Sequence, residues 1–150
     1  MLESAEELRD KKIEFSNDAQ RELRVLRSAV DEILTITEEA FTSNDVNLAA
    51  NVEPLEQVVD DIRDMIKLNH VLRLQKSECT IEHGFILADL LNNFERVSDH
   101  CSNIAGCVIE ISTFEELQMH KYLAEIKAGS EAFEDKYKEY KRKYSFESEA

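Results

Sequence analysis

The sequence predicts an all-α fold, an antiparallel bundle of three to four long helices, and three observations predict it. The 150 residues contain one Pro and three Gly, far too few breakers for strands that turn every ten residues or so. Apolar residues recur at steps of three and four, about every 3.5 residues, the period of helices crossing at about +20° in a left-handed bundle. Polar breaks divide that pattern, which argues against one continuous parallel coiled-coil rod and for antiparallel helices joined by short links. Read as a single domain over 1–150, the chain buries roughly 68–70% of its unfolded surface without disulfide or metal staples.

The first helix is predicted over about 4–41. Ser4 followed by Glu7 has the capping-box pattern, and Ala19, Leu23, Leu26, Val30, Ile33, Thr37 and Ala40 form its inward stripe. The polar run 42–45 breaks it, and Asn44 or Asp45 can cap the next helix. The second helix, about 45–70, carries Leu48, Val52, Leu55, Val59, Ile62 and Ile66, with a kink expected at Pro54, which lacks a backbone donor. A third, about 80–112, starts at Thr80 or Ile81 and carries Leu90, Phe94, Val97, Cys101, Ile104 and Val108. The fourth, about 113–144, starts at Thr113 with Glu116 three residues on. It shows Met119, Leu123, Ile126, Ser130, Phe133, Tyr137, Tyr140 and Tyr144. Lys136, Lys138, Lys141, Arg142 and Lys143 interleave with its aromatics, which either cover the bundle or form a partner surface.

Charge excludes several functions. A net charge of −14 repels nucleic-acid backbones and anionic lipid, and repels free phosphate unless a cation intervenes. Cys79, Cys101 and Cys107 form no CxxC pair, as expected of reduced thiols in cytosol, with Cys101 and Cys107 read as small core residues. No run is long and apolar enough to span a membrane, and Met1 is followed by acids where a leader would carry bases. The expected location is cytosolic, free or tethered by segments outside this sequence.

The informative residues flank the stripes. Glu56, Asp60 and Asp64 stand four residues apart on the second helix, and Glu95, Asp99 and Asn103 repeat the arrangement on the third. At about 100° per residue each set forms one narrow band. Like charges so spaced destabilise a helix by a few tenths of a kcal/mol per pair. Protons, Arg63, Lys67 and Arg96, or a hard cation between the bands would offset that cost. Oxygen-only ligands suit iron, manganese, magnesium or calcium. Ferritin-type Glu-x-x-His units are missing, His70, His83 and His120 stand alone, and Ser98, Asp99 and His100 point about 100° apart and form no triad.

Two stretches carry a resemblance. Residues 52–62 read VEPLEQVVDDI, and residues 84–105 read GFILADLLNNFERVSDHCSNIA. Both resemble the PhoU-like family of phosphate-uptake regulators, whose third helix reads L-E-R-I-G-D-H-x-x-N-I-A, matched by Phe94 through Ala105. The likeness is strong over about 44–111 and weaker outside. HVLRLQKSECTI at 70–81 and the Tyr-rich ending resemble more closely the cytosolic PhoU-like domain at the C-terminus of bacterial sodium/phosphate cotransporters.

The resemblance implies an up-down bundle of spectrin-like type, built of three-helix units that are often doubled, acting as a regulator or accessory domain of phosphate transport and not as an enzyme. It implies a multinuclear cluster of iron or another hard divalent or trivalent cation on Glu56, Asp60, Glu95 and Asp99, with Asp64 and Asn103 as extras. Ser98 departs from the family's small Gly. Implied partners are a membrane transporter domain at the inner face of the membrane, in the same polypeptide or complex, and a second copy of the chain. Nucleic acid and direct membrane insertion are not among them. The alternative is a free-standing regulator docking on a phosphate-transporter ATPase or a sensor kinase. A carboxylate-cluster storage or redox enzyme fits least, for want of Glu-x-x-His.

Overall fold

The computed structural model describes Glu6, residues 14–113 and residues 131–149, and among these residues it contains helices and no strand. Helix α1 spans Asn17–Ser43. Its first turn is closed by Ser16, whose Oγ accepts from the Ala19 N–H at 3.2 Å. Its end is set by Asn44 in the left-handed region, φ 54°, where an Asn side chain is tolerated. The Asp45 N–H then reaches back to the Ala40 carbonyl at 3.0 Å. Asp45 also caps the short helix α2, Val46–Ala50, by accepting from the Leu48 N–H at 3.0 Å. The Ser4–Glu7 capping box lies outside the described residues.

Helix α3 spans Val52–Gln75. The expected kink at Pro54 is instead a break at Asn51, between α2 and α3. Pro54 stands in the first turn of α3, where no helical partner awaits its missing N–H, and the break spares its ring a clash with the Ala50 carbonyl. The helix also continues past the fading stripe to Gln75. Ser77, at φ 58°, ends the run, and the Glu78 N–H bonds the Arg73 carbonyl at 2.9 Å in the manner of a glycine terminator. Thr80 and His83 close the next N-terminus reciprocally. The His83 N–H reaches Thr80 Oγ1 at 3.4 Å, and the Thr80 N–H reaches His83 Nδ1 at 3.3 Å, a capping box with His in the Glu position.

Helix α4 spans Ile81–Thr113, α5 spans Glu131–Lys143, and a 3₁₀ turn follows at Phe146–Glu149. The expected Thr113–Glu116 cap and the stripe positions Met119, Leu123, Ile126 and Ser130 lie outside the described residues, as does His120. Long-range pairs give the directions. Glu22 meets Arg73, so α1 and α3 are antiparallel. Glu53 meets Ser102, so α3 and α4 are too. Asn44 meets Ser112 and Glu14 meets His83, so α1 and α4 run the same way. Where α3 turns into α4 the His70 ring lies against the Gly84 backbone: a Cβ on Gly84 would lie 2.8 Å from His70 Nε2.

The core joins Leu26, Ala29, Val30 and Ile33 of α1 to Leu55, Val59, Ile62 and Ile66 of α3 and to Leu87, Leu91, Cys101, Ala105 and Val108 of α4. The stripes of α1 and α3 face inward as read. That of α4 is rotated. Ile104 is 42% exposed, Leu90, Phe94 and Val97 are only half-buried, and the innermost line instead passes through Leu87, Leu91, Ser98, Ser102 and Ala105. Two serines on that line weaken its apolar signal, so counting apolar residues selects the neighbouring line. Cys107, expected in the core, is exposed.

Candidate functional site

Three helices packed around one core leave three outer grooves, and this chain treats each differently. In the groove between α1 and α3 lies α5. Its Phe133 and Tyr140 are buried, as is Tyr144 just beyond it. The Tyr144 hydroxyl donates to Glu32, Lys143 Nζ pairs with Glu32 at 2.7 Å, and the Tyr137 hydroxyl donates to Asp61. Burial first, and then the Glu32 charge, pushes Tyr140 up to about 12 and Tyr144 higher still. These aromatics therefore cover the bundle. The groove between α1 and α4 is mostly apolar, lined by Leu34, Thr37, Phe41, Cys101 and Ile104 with Glu38 at its side.

The third groove, between α3 and α4, holds the acidic bands. Glu56 is 5% exposed, Asp60 and Glu95 are half-buried, and Asp64 and Asp99 are exposed. Their charges reach one another, since Asp60 and Asp99 both act on Glu56, and Glu95 and Asp99 both act on Asp60. The helical spacing thus places Glu56, Asp60, Glu95 and Asp99 in one groove. Asn103 stays out of it. It lines a separate cavity with Phe41, Asn44, Ile104, Cys107 and Val108.

Arg63 occupies the middle of the band. One guanidinium nitrogen, Nη1, lies 3.3 Å from Asp60 Oδ1 and also bonds Glu95. Nη2 and Nε both reach Asp64 Oδ1 at 3.1 Å. Burial opposes the charge on Arg63, and its contacts to Glu95, Asp60 and Asp64 outweigh that, so its pKa lies above the ordinary arginine value. Arg96, the other basic residue of the band, is exposed. Glu56 shows what crowding costs: burial, then the charge of Asp60, a hydrogen bond with it and the charge of Asp99 push its carboxyl up to about 8, with Arg63 acting the other way. Near pH 7 it therefore retains its proton, shared with the Asp60 carboxylate.

The groove has the oxygen chemistry of a hard-cation site but not the geometry. Among the described residues no three His, Cys, Asp or Glu side chains converge as metal ligands. A hard cation needs several oxygens at about 2.0–2.6 Å from one point, whereas these carboxylates are spread around a guanidinium. Asp60 Oδ1 is buried there without a hydrogen bond, meeting Arg63 as an ion pair at 3.3 Å. Ser98 Oγ is buried without a hydrogen-bond partner, at the position where the resemblance expects Gly. The Glu53–Ser102 and Arg63–Glu95 pairs place it level with Glu56 and Asp60.

Several polar residues escaped the sequence reading. Glu53 is 2% exposed and accepts from Ser102 Oγ at 2.6 Å. Glu22 takes both arms of Arg73 at 3.0 Å and the Asn69 amide at 2.8 Å. Glu22 sits on the inner side of α1, one turn from Ala19 and Leu26, and an acid in that register signals a buried partner. Cys79 Sγ lies 3.5 Å from His70 Nδ1, so His70 is not isolated. Ser98 is buried while Asp99 and His100 are exposed, which confirms that they diverge.

Comparison with known proteins agrees with this architecture. The family model of the PhoU domain matches residues 23–108, from α1 through most of α4. The "phosphate-specific transport system accessory protein PhoU homolog 1" of Thermotoga maritima is 27% identical over 124 residues, covering 83% of this chain and 52% of that protein. The chain therefore spans about half the length of this relative. No solved structure matches. Three core helices in up-down-up order, carrying both acidic bands within the matched residues, place the chain in the PhoU domain family.

Proposed function

We propose that this chain is an accessory domain that controls phosphate uptake, and that it is the cytosolic domain of a sodium/phosphate cotransporter. The match of the PhoU domain model across α1, α2, α3 and α4 carries the reading, and the accessory-protein role of the Thermotoga relative supports its link to phosphate transport. The bundle has the form of a docking module. The α1–α4 groove presents Leu34 and Phe41 at 46% and 65% exposure, and no helix among the described residues is long and apolar enough to cross a membrane. The transporter part supplies the membrane-spanning segments, and the domain sits at their cytosolic face. The run HVLRLQKSECTI at 70–81 favours the cotransporter over a free-standing regulator acting on a transporter ATPase or sensor kinase.

Two measurements test it. Uptake of labelled phosphate is compared between cells with and without the coding region for residues 14–149. The expected result is uptake that no longer responds to external phosphate, and an unchanged response overturns the role. Tagged protein isolated from membranes then separates the partners. A single polypeptide with sodium-dependent phosphate transport supports the cotransporter, and co-isolation of a separate ATPase subunit or sensor kinase replaces it.

A further inference from the structure

We propose that Arg63 is the resident cation of the α3–α4 groove, tying the two helices together at the place where a metal ion would otherwise sit and making this bundle independent of metal there. This role of Arg63 is independent of any part the domain plays in transport.

Arg63 forms ion pairs with carboxylates at three positions, Asp60 and Asp64 on its own helix and Glu95 across the groove. Its side chain is only 15% exposed, so its pairs with half-buried Asp60 and Glu95 are partly sheltered from the screening that makes surface ion pairs weak, whereas the pair with exposed Asp64 is not. A guanidinium offers five N–H donors in a rigid planar fork. It therefore satisfies carboxylates spread over several ångströms, whereas a hard ion draws oxygens to a single point. The carboxylates have the first arrangement, since no three acids among the described residues converge. An incoming metal ion would have to expel Arg63, break its bond to Glu95 and draw Glu95 and Asp99 towards Glu56 and Asp60, all against the repulsion of a like charge a few ångströms away.

The position of Arg63 adds to this. It lies three residues after Asp60 and one before Asp64, so the helix itself holds it between the acids. Arg96 is exposed and takes no such place. Removing Arg63 alone would leave Asp60 and Glu95 facing each other uncompensated, and the groove would then favour any hard cation that could bridge them.

The test uses the purified chain and Mn²⁺ as probe, read by metal content, by the spin-resonance signal of free Mn²⁺ and by melting temperature. The parent, purified without chelator, should carry no stoichiometric metal, and neither EDTA nor millimolar Mn²⁺ should move its melting temperature. Arg63→Gln should melt lower, regain stability with Mn²⁺, and bind it about ten-fold more tightly than the parent, because a like charge has left the groove. The double variant Arg63→Gln, Glu95→Gln should fold with or without metal and lose the Mn²⁺ response. If Arg63→Gln does not fold, Arg63→Lys stands in for it. That variant keeps the charge and loses the fork, and should melt below the parent without gaining Mn²⁺ binding. Stoichiometric metal in the parent, a parent destabilised by EDTA, or equal Mn²⁺ affinity in parent and Arg63→Gln would each overturn the proposal.

Discussion

Helix α3 carries two sheltered arginines ten positions apart, and they do different work. Arg73 faces α1 and meets one carboxylate, Glu22, through two parallel bonds of 3.0 Å, with Asn69 completing the acceptor. Charges there match one to one, and both side chains are at least nine-tenths buried. Arg63 faces α4, where five acids share its neighbourhood. The excess is relieved by leaving Asp64 and Asp99 in solvent and a proton on Glu56. A buried ion pair with matched charges acts as a structural rivet, whereas a groove with surplus acid around one arginine stays responsive to protons. The Arg73 site closes one end of the bundle, and the Arg63 site is the chemically poised one.

The contrast between the two arginines breaks most visibly at the rivet. Arg73→Ala leaves Glu22 charged and buried and should cost about 3–5 kcal/mol in urea unfolding at pH 7. The pair Glu22→Leu, Arg73→Met should recover most of that, since apolar residues of similar volume replace buried ion pairs at little cost. Recovery no better than either single variant would show that the pair also specifies helix register.

Protons sharpen the other side. The Glu56 carboxyl lies above its ordinary value of 4.5, at about 8. An acid raised on folding binds its proton more tightly in the native state, so stability falls as pH rises from about 4.5 to about 8 and then levels off. Glu56→Gln keeps the shape and removes the titration. It should be within about 1 kcal/mol of neutral at pH 5, stabilise by roughly 2–4 kcal/mol at pH 8 and flatten the pH profile between them. A loss of stability at pH 8 would mean that the carboxylate is wanted there.

Smaller effects belong to the periphery of each region. Tyr144→Phe removes the bond to Glu32, which keeps Lys143 at 2.7 Å, and should cost about 1 kcal/mol. Asp64→Asn touches only the solvent side of the Arg63 cluster, where Asp64 is 67% exposed, and should stay within about 0.5 kcal/mol. A larger loss at Asp64 would make it part of the tie between helices.

Much of the fold was legible because α1 and α3 place apolar residues at helical spacing without competitors. Leu26, Ile33, Leu55 and Ile66 are almost fully buried, as their period requires. The α4 line was misread because Ser98 and Ser102 occupy inward positions, and a hydroxyl is counted as polar whether it meets solvent or the buried Glu53 carboxylate. Pro54 was correctly seen as a disruption but misplaced as a kink, because where a helix yields depends on what its first turn can tolerate. In the candidate site, the i, i+4 spacing placed Glu56 and Asp60 opposite Glu95 and Asp99. Asn103 was carried along by the same spacing, although by that level the band has turned away from α3.

Composition and period alone determined the all-helical class, the up-down order and the existence of two acidic bands, because these follow from residue spacing within one helix. Tertiary structure decided which cation meets the acids. Arg63 and Arg96 are equally near the bands in sequence, yet only the rotation of α3 against α4 turns Arg63 into the groove and leaves Arg96 in solvent. It also decided that Glu22, Glu53 and Arg73 are interior, since burial depends on what another helix brings to the same level, and no single segment contains that information.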